Sequence, residues 1–106
     1  MINKFGNVWK SKNSNQLAHV LIDIKDIKIM KNFLRDVMTE KEILEIGARL
    51  EAAKMLKDGK KYIDISKRTN LSSRTVARIS NWLKNGCKGY KEAIKLIRSH
   101  HYNLTS

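Results

Sequence analysis

Proline is absent from the 106 residues, cysteine occurs once and glycine five times. Without proline nothing interrupts a helix by ring closure, and no alternating run of β-branched residues is long enough to argue for a sheet. Everything past residue 13 therefore reads as helical. The lone Cys87 permits no internal disulfide, has no partner for a CxxC metal site, and suits a reducing cytosol. No apolar run approaches the roughly 18–20 residues that span a bilayer, and the opening MINKFGNVWKSKN lacks a signal-peptide core. The expectation is a soluble cytoplasmic protein with no membrane partner. Chemistry is equally thin. There is no glycine-rich phosphate loop, Cys87 has no general base beside it, and the adjacent His100 and His101 would point about 100° apart on a helix. The chain is expected not to be an enzyme and to hold no metal.

Acidic residues are scarce as well. Ten Asp and Glu stand against 22 Lys and Arg, a net charge of +12 and a pI near 10.0. Residues 57–98 alone carry a net +9, residues 39–56 a net −1 and residues 1–38 a net +4. A nucleic-acid binder leaves this electrostatic footprint, and a merely lysine-rich composition would spread it more evenly.

At this length the chain is one domain with a tail: a flexible basic arm at 1–13 and a helical domain at 14–102. So small a monomer buries only a modest core, which brings a dimer interface into play. Apolar residues cluster from Leu17 to Ile24, then recur at Ile27, Met30, Phe33, Leu34 and Val37 behind Asp26, a candidate N-cap. Thr39-Glu40-Lys41-Glu42 is a capping box opening a helix over about 40–57. The apolar stripe of that helix is wide enough to be covered on two sides, and Gly59 stands where a left-handed residue would end it.

The segment from about 62 to 84 has the pattern of a helix-turn-helix. Ile65 points inward, the small Ser66 allows a close crossing, and Asn70 tolerates the left-handed conformation of the turn. Leu71 plugs the angle between the helices, and Ser72 caps the second one. Val76, Ile79 and Leu83 then face the core. The other side presents Ser73, Arg74, Thr75 and Ala77 for base edges in a major groove, where arginine pairs with guanine and a methyl group meets thymine. Lys67, Arg68, Arg78 and Lys84 fall around them as phosphate contacts.

From Phe33 to about Ile97 the chain resembles the Trp-repressor family, in particular its short, less characterised branch. The stretches that carry the resemblance are FLRDVMTEKEI, GARLEAAKMLKDGKKY, ISKRTNLSSRTVARISNWLKNG and GYKEAIKLI. The resemblance implies an all-α, intertwined homodimer whose two helix-turn-helix heads read successive major grooves. It also implies a ligand pocket. Two arginines that sandwich a corepressor fall on Arg49 and Arg78, and main-chain acceptors fall near Met38 and Thr39. The family's serine for the ligand's amino group falls on Trp82, whose indole would take the space of a free L-tryptophan. The expectation is a ligand-free, sequence-specific regulator of double-stranded DNA, a repressor, with no cofactor. A protein-interaction module within a larger assembly remains open as an alternative. So does a repressor gated by a small-molecule corepressor at Arg49/Arg78.

Overall fold

Four helices open on a side chain that satisfies amides with no partner inside the helix. In the computed structural model, which describes residues 6–100 and Tyr102, Ser11 Oγ accepts from Ser14 N–H at 3.4 Å. Asp26 Oδ1 accepts from Lys28 and Ile29 at 2.8 and 3.1 Å. Thr39 and Glu42 close a reciprocal box. Glu42 Oε1 accepts from Thr39 N–H at 2.8 Å, and Thr39 Oγ1 accepts from Glu42 N–H at 3.1 Å. Ser72 caps the fourth. The helices are α1 (Lys12–Asp23), α2 (Ile27–Val37), α3 (Glu40–Lys57), α4 (Tyr62–Thr69), α5 (Ser73–Asn85) and α6 (Gly89–Ser99), with no strand among the described residues.

The chain divides into two units, one up to Leu44 and one from Glu45 onward, with α3 running through the boundary. In the first unit a 3-10 turn at Val8–Lys10 packs against α1. The turn and the start of α1 at Lys12 fall inside the stretch 1–13 expected as an arm, whose residues 1–5 lie outside the described residues. No described residue of this unit is buried. Leu17, Ile22, Ile27, Ile29, Val37 and Leu44 are all exposed, Ile27 to 70%.

The second unit has the core. Ala52 and Ala53 of α3, Ile65 of α4, Val76 and Ile79 of α5 and Ile94 of α6 are buried together. Leu56, Leu71, Leu83 and Tyr90 pack against them. Ala52 and Ala53 are the part that α3 contributes to this core. α3 ends on Gly59 with φ +80°, and Lys60 N–H reaches back to Met55 O at 3.0 Å, so the expected left-handed stop is present. The break after α5 has a different construction from its sequence. Gly86 and Gly89 flank it, yet the left-handed residue is Lys88, at φ +70°. Gly86 is required for space instead, because a Cβ there would meet Trp82 O at 2.4 Å.

Candidate nucleic-acid interface

The helix-turn-helix is built from α4, a turn at residues 70–72, and α5. Thr69 Oγ1 donates to Ile65 O at 2.7 Å and accepts from Leu71 N–H at 3.4 Å, tying the turn to the end of α4. Asn70 is left-handed at φ +63°, and its N–H donates to Ser66 O at 2.9 Å. Ser72 Oγ accepts from Thr75 N–H at 3.1 Å and donates to Thr75 Oγ1 at 3.0 Å. Ile65 and Val76 are fully buried, Ile79 nearly so, and Leu83 half so. Two serines complete the crossing. Ser66 Oγ is buried without a hydrogen-bond partner, and Ser80 is buried on α5. Serines at these positions leave room that longer side chains would fill.

With that side buried, α5 offers the opposite one to solvent. Ser73, Arg74, Ala77 and Arg78 are exposed along its first half. Thr75 stands apart from them: it is half-buried, engaged by Ser72, and turned to the flank of the helix. Asn81 is exposed one turn beyond Ala77 on the same stripe, and sequence reasoning passed over it. Its signal was the i, i+3, i+7 spacing of Arg74, Ala77 and Asn81. Lys67 and Lys84 are exposed with no ion pair among the described residues. Arg68 is exposed too, with its Nε 3.9 Å from Glu51 of α3. Such a pair in solvent is weak and leaves the guanidinium available.

On that flank Arg49, Thr75, Arg78, Ile79, Trp82 and Tyr90 line a cavity of about 200 Å³. Sequence reasoning anticipated Arg49, Arg78 and Trp82 here, while Tyr90 and Thr75 come from the packing of α6 and the roll of α5. Arg49 contacts Glu45 at 3.5 Å, the helix-surface pair its i, i+4 spacing allows, and its Nε is buried without a partner. Trp82 remains 58% exposed. Met38 and Thr39 belong to the first unit. Met38 O already accepts from Arg35 Nη1 at 3.0 Å, and Thr39 O from Ile43 N–H at 3.1 Å. The cavity is smaller than the roughly 300–1,000 Å³ usual for small-molecule sites. One of its walls is already an indole, that of Trp82.

No helix among the described residues is long and apolar enough to cross a membrane, and no group of three candidate metal ligands exists among them. A family model described as Trp repressor protein matches residues 12–97. The chain is 30% identical over 89 residues to the uncharacterized protein YerC of Bacillus subtilis (strain 168), covering 84% of this chain and 86% of that one. It is similar to the crystal structure of a TrpR-like protein from Eubacterium eligens ATCC 27750, with a TM-score of 0.82 and 31% identity over 92% of this chain and 100% of that one. A Trp repressor candidate from Staphylococcus aureus has the same fold, with a TM-score of 0.77 and 23% identity over 87% and 92% of the two chains.

Proposed function

The chain belongs to the Trp repressor family and has its all-α fold, and from that premise we propose that it is a sequence-specific regulator of double-stranded DNA, a repressor acting as a dimer. One observation carries this reading: α5 is anchored by Val76 and Ile79 and presents Ser73, Arg74 and Ala77 at its exposed N-terminal half. A helix held in this way can enter a major groove with short and forked side chains leading. Lys67, Arg68, Arg78 and Lys84 flank it and supply the sequence-independent attraction to phosphates. Thr75 assists by holding the Ser72 cap rather than by reaching furthest out. The regulator works without tryptophan as a corepressor. Two such heads in a dimer would read half-sites about 34 Å apart.

Selection of bound duplexes from a random pool, with and without added tryptophan, tests the proposal. A two-fold-symmetric enriched site, the same in both arms, is the expected outcome. Enrichment of no sequence, together with micromolar binding insensitive to salt, would favour the protein-interaction module instead.

The buried, unpartnered Nε of Arg49 supports a second reading, a repressor gated by a small molecule at Arg49/Arg78. Such a ligand would bring an acceptor for that N–H, a carboxylate for instance. It would raise the melting temperature of the wild type and not of Arg49→Leu. No shift across a panel of amino and keto acids removes this reading for those ligands.

A further inference from the structure

A second cavity, of about 350 Å³, lies where α6 meets the C-terminal end of α3, and it shares no lining residue with the one beside Trp82. Its walls carry five cations, Lys57, Lys88, Lys91, Lys95 and Arg98, and one carboxylate, Glu92, over the buried Ile94. Lys95 is paired with Glu92 at 3.4 Å and Arg98 with Asp58. Lys57, Lys88 and Lys91 have no ion pair among the described residues.

Local physics opposes this arrangement three times over. Lys91 and Lys95 stand at i, i+4 on one face of α6, a spacing at which like charges repel. Lys88 at the N-cap and Lys91 in the first turn put positive charge at the positive end of the helix, against the single acid Glu92. Lys88 is also left-handed although the residue beside it is a glycine that does not need the freedom. A sequence that breaks local rules repeatedly at one spot marks a site where something else offsets them.

We propose that this cavity binds a small anion bearing two or more phosphoryl groups, free or as part of a nucleotide. One phosphate carries about −1.5 to −2 charges near neutral pH. Three unpaired lysines therefore match a diphosphate better than a single phosphate. Lysine suits the task as a point charge on a flexible stem, and its apolar stem can lie along Ile94. A bound diphosphate would relieve all three conflicts together: the repulsion along α6, the cations at its start, and the conformation of Lys88. The proposal stands independently of the DNA-reading role assigned to α5.

Isothermal titration of the full chain with pyrophosphate and with ADP, at 0.15 M salt and without DNA, tests it. The expected result is saturable binding that falls at least tenfold in Lys57→Gln/Lys88→Gln/Lys91→Gln. A charge-matched control, Lys12→Gln/Lys28→Gln/Lys31→Gln in the first unit, should keep wild-type affinity. The single variant Lys88→Gly should melt higher than the wild type yet bind pyrophosphate less tightly, which covers the case of a misfolded triple variant. Equal losses in the triple variant and the control would overturn the proposal, since net charge would then explain the binding. No pyrophosphate or ADP binding, with a DNA salt slope about three units smaller in the triple variant, would overturn it in favour of backbone phosphates of the duplex.

Discussion

Arg74, Arg78 and Lys84 look alike in the composition and differ in their surroundings. Arg74 is exposed in the first turn of α5 with no ion pair among the described residues. Arg78 is one turn on and lines the cavity with Arg49 and Trp82. Lys84 lies in the last turn, where a cation also favours the helix end. Arg74→Ala is expected to cost about 1–3 kcal/mol on a cognate duplex and to relax preference at one base pair. Lys84→Ala should weaken cognate and random duplexes alike and lower the log–log salt slope by about one unit. Fluorescence anisotropy across a salt series separates the two. Equal effects of both variants on both duplexes would show the roles to be wrongly assigned. Arg74 was legible because its spacing to Val76 and Ile79 puts it on the outer side. Thr75 was not, since its half-burial depends on Ser72 and on the neighbouring cavity.

At the scale of single helices, the ends carry the most specific expectations. Hydrogen bonds that the Glu42 carboxylate accepts from Thr39, first from its backbone N–H and then from its side chain, hold that carboxyl below the usual glutamate range. A carboxylate whose folded pKa is lowered adds stability above its unfolded pKa, and that stability disappears as pH falls through the folded value. Glu42→Ala should therefore melt below the wild type at pH 7, and the gap should shrink as pH falls past the glutamate range. A gap constant down to pH 3 would count against the charged form as the cap. Gly86 offers a steric test. Its N–H donates to Trp82 O at 2.8 Å, and a Cβ would collide with that same carbonyl. Gly86→Ala should lower stability to urea by about 1–3 kcal/mol by opening the end of α5. The span of α3 and the starts of α2 and α5 were readable, since caps and apolar periods are local, whereas α1 begins inside the stretch expected as an arm. The left-handed Lys88 was not, because Gly86 or Gly89 is the more ordinary choice for that conformation.

For the molecule as a whole, the decisive feature is an apolar surface with nothing buried beneath it. Ile22, Ile27, Ile29, Val37 and Leu44 are each more than half exposed. So much exposed apolar surface on a small chain marks an association site, and a second copy of the chain is the occupant proposed above. The melting temperature should then rise with protein concentration. Ile27→Glu should shift sedimentation toward the monomer and lower the melting temperature at micromolar concentration. By contrast Ile65→Ala, in the core of the second unit, should cost about 2–5 kcal/mol whatever the concentration.

By itself the sequence determined the helical class, the capped starts of α2, α3 and α5, the left-handed turn at Asn70 and the buried side of α5. Those features depend on neighbours within a few residues, through capping, spacing and local backbone freedom. Only the tertiary structure decided that Thr75 leaves the outer face and that Tyr90 closes the cavity beside Arg49 and Trp82. It also decided that Lys57 faces the lysines of α6 over Ile94. Apart from the Ser72–Thr75 bond, these depend on contacts between different helices. No period along one helix reveals which face of another it will meet.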